Sequence, residues 1–176
     1  MEIKEIYDTM TYGPAPESAD EAINFLESHK RKFKLFINGK WVAPSSKEYF
    51  DSINPSNKEK LAKISEANET DVNKAVAAAN KALPEWVKIG SHQRARYLYA
   101  LARQIQKHSR LFAVLESMDN GKPIRETRDI DLPIVARHFY HHAGWAQLRD
   151  SELGDYEELG VIGQIIPWNF PLMMLA

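Results

Sequence analysis

Residues 160–171 read GVIGQIIPWNFP, and the rest of the chain is best interpreted outward from them. From Gly160 to Ile166 apolar side chains follow one another almost without alternation, the pattern of a strand covered on both faces in a parallel sheet. Pro167 and Pro171 each bias the preceding residue, Ile166 and Phe170, away from helical backbone, so the loop is stiff on both sides of Asn169. Pro171 also suits the first position of a helix, where its missing amide proton costs nothing. Strand, rigid loop and helix in this order place Asn169 at the carboxyl edge of a sheet, where open α/β sheets take their ligands. Its side-chain amide is a donor suited to a developing oxyanion. The same side chain can instead satisfy backbone groups at the helix entry, with Trp168 in the core, and spacing alone does not choose between these roles.

Upstream of this stretch the chain predicts three helices preceded by strands. Asn38-Gly39 within KLFINGKWV (34–42) supplies the two positive-φ positions of a type I′ hairpin turn between apolar flanks. A second strand pair, Tyr49 to Asn54 and Leu61 to Ser65, is expected to turn around Pro55-Ser56-Asn57. Together these make a small antiparallel sheet. Thr70 is suited to cap a helix whose inward stripe is Val72, Ala75, Val76, Ala79 and Leu83, ending before Pro84 and Trp86. A second helix starts near Ser91 and turns Leu98, Leu101 and Ile105 inward, with Ser109 restarting or continuing it to a cap at Asn120-Gly121. A third runs from about Ile130 to Trp145, with Pro133 tolerated only in its first turn. Ahead of the strands, Ser18 or Asp20 caps a short helix with Ala22, Ile23 and Leu26 inward, ending at Lys30-Arg31-Lys32 as a solvated basic terminus. Tyr12-Gly13-Pro14-Ala15-Pro16 interrupts any earlier helix.

Composition narrows the function classes. The 176 residues carry 23 basic and 24 acidic side chains, a formal net charge of -1, so no long-range field favours nucleic acid or an anionic membrane. There is no cysteine, which removes disulfides, thiolate metal sites and a cysteine nucleophile from these residues. MEIKEIYDTMTYG at the start has no apolar signal core, and no apolar stretch is long enough to span a bilayer, so a cytoplasmic protein is expected. The sequon at Asn68-Glu69-Thr70 therefore carries no expectation of glycosylation. His138, His141 and His142 share or lie near one helix face, but without a neighbouring carboxylate pair or cysteine they are expected to be partly exposed and packed on neighbours with no metal held, and the adjacent aromatics Phe139 and Tyr140 point the same way. Gly160 and Gly163 precede a strand and not a helix, so no phosphate-cradling loop is present.

The stretch QIIPWNFP (164–171) resembles the cofactor-side motif of the aldehyde dehydrogenase superfamily. The resemblance extends back, in order, through HHAGWA, LESMDNGKP, DVNKAVAAANKAL, SINPSNKEKLAKI and FINGKWV, covering about residues 33 to 176. The leading segment around Tyr12-Gly13-Pro14-Ala15-Pro16-Glu17-Ser18 is similar to the family-16 aldehyde dehydrogenases, whose full chains carry a second dehydrogenase-like domain. What the resemblance implies is NAD- or NADP-dependent oxidation of a small-molecule aldehyde to a carboxylic acid through a cysteine-bound thiohemiacetal. It further implies Asn169 as a donor to the oxyanion and Ile165, Ile166, Pro167 and Trp168 as residues lining the cofactor. The family's nucleophilic cysteine and glutamate base match no position here. Gln147 to Glu158 is shorter than the family's subunit-pairing strands, which leaves the mode of the expected homo-oligomer open, and Leu159 stands where the family commonly has proline.

The expected architecture is therefore α/β, the N-terminal part of an aldehyde dehydrogenase fold. Residues 1–32 form an extension with a short helix and 33–146 the strands and helices of a cofactor-binding domain. Residues 147–159 are a short linker or remnant of oligomerisation strands, and 160–176 the first strand and motif loop of a Rossmann-like sheet. The apolar, uncapped run Met173-Met174-Leu175-Ala176 is expected of a chain cut inside a domain, inactive by itself and marginally stable. The alternatives are a non-catalytic scaffold or interaction protein derived from the same fold, and an unrelated helical binding module.

Overall fold

The computed structural model describes residues 18–176; the reading of Tyr12 to Pro16 and the family-16 likeness of the leading segment lie outside the described residues. Helix α1 (Asp20–Ser28) buries Ala22 and Leu26 and leaves Ile23 at the surface. Its N-cap is Ala19 with no side-chain cap bond, in place of Ser18 or Asp20. The basic run after it is not merely a solvated end. Lys30 and Arg31 take left-handed backbone, with φ of 54° and 47°, and reverse the chain so that Lys32 and Phe33 form strand β1. Arg31 then donates from Nη1 to the Leu61 carbonyl at 3.0 Å, tying the reversal to the sheet.

Strands β2 (Leu35–Ile37) and β3 (Lys40–Val42) make the expected hairpin, with Asn38 at φ 53° and Gly39 at φ 71° as a type I′ turn requires. Phe36 faces Trp41 across it, ring centroids 5.0 Å apart. Strands β4 (Tyr49–Ile53) and β5 (Lys60–Ser65) pair antiparallel. The sheet order is β1-β5-β4, and β1 lies parallel to β5, so the strand element is mixed and not wholly antiparallel. The reason is the left-handed reversal at Lys30-Arg31, which brings the chain back from α1 running in the direction of β5.

Helix α2 spans Glu69–Lys88 and is capped by Asn68, not Thr70; the Asn68 side chain accepts from Asp71 N while the Asp71 carboxylate accepts from the Asn68 amide. The sequon asparagine thus has a structural use. The helix passes through Pro84 and Trp86 instead of ending before them. Its expected inward stripe is covered only in part: Ala75 and Leu83 are half-buried, Ala79 is exposed, and Val72 and Val76 are 53% and 43% exposed.

Helices α3 (Ser91–Lys107) and α4 (Ser109–Asn120) meet at His108, which caps both. Leu101 is exposed, and the buried residues of α3 are Ser91, Ala95 and Ala102. A single turn α5 (Ile124–Glu126) leads through a π-helical turn (Thr127–Asp131) into α6 (Leu132–Glu152). Pro133 sits in the first turn of α6, as its lack of a donor demands. Helices α3 and α6 pack along their length, and the buried alanines Ala95, Ala102, Ala136 and Ala143 let their backbones approach. Gln147 to Glu152 extends α6 and is not a linker. After it, Glu158 is held by Arg149 at 3.1 Å, which lays the following segment against α3 and α6.

Residues 161–166 form no strand, contrary to the expectation, because no described segment supplies the ladder partner that a strand requires. They are also not buried: Ile162 is 70% and Ile165 100% exposed. A short helix α7 (Pro171–Leu175) follows the motif loop, with Pro171 at its start.

Candidate functional site

Pro167 to Phe170 form a tight turn between the unpaired apolar segment and α7. Among the described residues no strand pairs with the segment before the turn, and the contacts that hold it come from the end of α4. Asn120 donates from Nδ2 to the Trp168 carbonyl at 2.6 Å. The next residue, Gly121, is left-handed at φ 86° and turns the chain so that Lys122 also faces the loop. Lys122 Nζ stands 3.8 Å from the centroid of the Phe170 ring. The far side of the loop is closed by Gln164, which donates from Nε2 to the Met174 carbonyl at 2.6 Å.

Below the loop lies a group of buried charges. Lys122 is ion-paired with Asp131, whose side chain is wholly buried at the end of the π-helical turn. Ser117 donates to the Lys122 carbonyl at 2.7 Å and fixes the backbone there. Glu116, one turn before Asn120, is buried with neither carboxylate oxygen hydrogen-bonded, although the Leu172 amide approaches it. Burial, and then the nearby Asp131 charge, push the Glu116 carboxyl above the ordinary carboxylate range, with Lys122 opposing. Glu116 also borders an apolar cavity of about 740 Å³ between α1, the mixed sheet, α4 and α7, lined among others by Leu26, Phe33, Leu61 and Leu172.

Asn169 is exposed, and its side-chain amide has no partner among the described residues. It does not cap α7, whose entry carries no side-chain cap bond. Trp168 is 90% exposed and so is no core residue here. Ile165 and Pro167 are likewise exposed, and Ile166 is half-buried against the cavity. The arrangement can therefore offer one exposed amide, on a loop held through its backbone, beside a short apolar and aromatic surface. Asn120, Lys122, Asp131 and Glu116 were not legible as parts of this site. The only signal was the clustering of Glu116, Asn120 and Lys122 in LESMDNGKP (115–123), where Asn120-Gly121 reads locally as a helix cap; Asp131 lies outside that stretch.

The three histidines are placed on α6 as expected. Trp145 Nε1 donates to His141 Nε2 at 3.1 Å, and His142 Nδ1 lies 2.9 Å from the His138 carbonyl. Among the described residues no three His, Cys, Asp or Glu side chains gather as a metal-binding group, and no helix is long and apolar enough to cross a membrane.

Residues 41–176 match the model of the Aldehyde dehydrogenase family. Over 156 residues the chain is 37% identical to Acetaldehyde dehydrogenase 2 of Cupriavidus necator, an alignment covering 83% of this chain and 31% of that protein. Over 179 residues it is 38% identical to Aldehyde dehydrogenase family 2 member B4, mitochondrial, of Arabidopsis thaliana, covering 94% and 33%. The crystal structure of an NAD-dependent aldehyde dehydrogenase from Sinorhizobium meliloti superposes with a TM-score of 0.75 at 30% identity, covering 81% of this chain and 31% of that one. The chain thus spans about a third of the length of the curated relatives it matches.

Proposed function

The chain belongs to the aldehyde dehydrogenase family, and from that premise we propose that it carries the Asn169 part of a site oxidising an aldehyde to a carboxylic acid with NAD or NADP. The observation that supports this reading most directly is the state of Asn169: a side-chain amide without a partner among the described residues, on a loop held from both sides. A donor fixed before the reaction stabilises developing negative charge without reorganising, and loss of one such donor costs on the order of 10²–10³ in rate. In this role Asn169 donates to the oxygen of the aldehyde as it becomes an oxyanion.

Ile165, Ile166, Pro167 and Trp168 are assigned to the cofactor. They fit an aromatic, partly apolar group, since Trp168 and Ile165 present nearly their whole side chains on the segment that ends at Asn169. When bound, the nicotinamide would supply the hydride acceptor. Trp168 would give it a stacking face, and Asn169 would hold the substrate oxygen at the end of that face.

These 176 residues contain no cysteine, so the thiolate that attacks the aldehyde comes from outside them, and the chain by itself binds without turnover. The whole protein acts as a homo-oligomer in this reading. The same lack of cysteine supports a second reading, a non-catalytic scaffold or interaction protein of this fold. Calorimetric titration of the purified chain with NAD and NADP tests the proposal. Saturable binding that Trp168→Ala weakens is expected, and no heat from either nucleotide would favour the scaffold.

A further inference from the structure

We propose that Asn120 and Lys122 are positioning residues for Asn169, acting through the peptides on either side of it. Two contacts from one end of α4 converge on the loop. The Asn120 amide holds the Trp168 carbonyl at 2.6 Å, and so fixes the peptide plane that joins Trp168 to Asn169. The Lys122 ammonium sits 3.8 Å over the Phe170 ring and fixes the residue that follows. Neither touches the Asn169 side chain, and together they determine where it points.

The second contact is anchored from below. Lys122 is paired with the buried Asp131, and its carbonyl is held by Ser117, so the ammonium has little freedom to leave the ring. Gly121 makes the convergence possible. Its left-handed backbone turns Asn120 and Lys122 toward the same loop, and an added Cβ would lie 2.8 Å from Pro55 Cγ. Other segments approach the loop less directly: Gln164 reaches α7, and Glu116 faces the Leu172 amide without bonding it. Among the described residues no strand pairs with residues 161–166, and the side-chain contacts to the Trp168 carbonyl and the Phe170 ring come from the α4 terminus.

This inference rests on the reading of Asn169 as an oxyanion donor only for its importance, and its test does not. In the ¹⁵N-labelled chain the backbone order parameter of Asn169 is expected near 0.85, the value of rigid backbone. Asn120→Asp replaces the donor by an oxygen that repels the Trp168 carbonyl. It should lower that order parameter below about 0.6 and shift the Asn169 side-chain amide resonances, at an unchanged melting midpoint. Lys122→Met strands Asp131, so the double variant Lys122→Met/Asp131→Asn is used, with Lys122→Arg as the rescue that keeps a cation over the ring. Unaltered Asn169 dynamics and resonances in Asn120→Asp and in the double variant would overturn the proposal. Global unfolding of both would overturn it too, by making these residues scaffold contacts. A loop that responds in a chain that binds no NAD leaves the positioning role standing and removes the cofactor reading; an unresponsive loop in a chain that binds NAD does the reverse.

Discussion

Asp71, in the first turn of α2, accepts the backbone N–H of Ser45 at 3.0 Å and its hydroxyl at 3.1 Å, joining the loop after β3 to the helix N-terminus. The Ser45 N–H is the main cause that holds the Asp71 carboxyl below its ordinary value of 3.8, with the Asn68 amide, the Ser45 hydroxyl and Lys74 adding to it against burial. The native state therefore holds this group ionised at pH values where the unfolded chain protonates it. Its contribution to stability is present above 3.8 and is lost as pH falls through the lowered folded value. Asp71→Asn should lower the urea midpoint at neutral pH, and the gap from the parent should close as pH falls below 3.8 through the lowered folded value. A gap independent of pH would contradict the assignment.

Glu116 has the opposite sign. Burial first and the Asp131 charge second raise its carboxyl above the ordinary 4.5, so the folded state binds this proton more tightly than the unfolded chain. Stability falls as pH climbs from 4.5 to the raised value, and the penalty stays constant above that. Glu116→Gln removes the penalty while keeping a carbonyl oxygen toward the Leu172 amide. The variant should unfold at higher urea than the parent at pH 7, with the difference shrinking as pH falls from the raised value toward 4.5 and lost below it.

Gly121→Ala should be costly for two reasons acting together, the left-handed backbone at φ 86° and the contact of 2.8 Å with Pro55 Cγ. A non-glycine residue in such a conformation costs about 1–3 kcal/mol. Denaturant titration should find a loss of at least that size, and a neutral substitution would mean that the turn into Lys122 relaxes freely.

Trp168 is the most exposed of the four tryptophans, at 90% against 64% for Trp41, 45% for Trp145 and 42% for Trp86. Trp168→Phe should remove the reddest part of the indole emission and the fraction most open to acrylamide. If NAD stacks on this face, it should quench the parent and leave the variant's emission unaltered; equal quenching in both would place the nucleotide elsewhere.

How far the sequence could be read differs by region. The Asn38-Gly39 hairpin, the β4–β5 pair, the Asn120-Gly121 cap and Pro133 in a first helical turn were all legible, because each follows from backbone preferences of one or two residues. The α2 stripe is only partly covered for a different reason: periodicity finds an apolar face but not the surface that would cover it, so Ala75 and Leu83 are half-buried while Val72 and Val76 remain open. The same holds for residues 161–166. Their composition suits a buried strand, yet a strand exists only by pairing, and among the described residues nothing pairs with them.

By itself the sequence determined the local turns and caps, the mixed α/β class and the likeness to aldehyde dehydrogenases, since short-range backbone chemistry and ordered motifs are properties of the chain alone. It also singled out Asn169 between two stiffening prolines. Only the tertiary structure decided what holds that residue. The bond from Asn120 to Trp168 spans 48 positions, Lys122 reaches Phe170 while its charge is balanced by Asp131, and Glu116 is buried without a hydrogen bond. Burial and partnership depend on which distant segments meet, and that is settled by packing, not by the identity of neighbours along the chain.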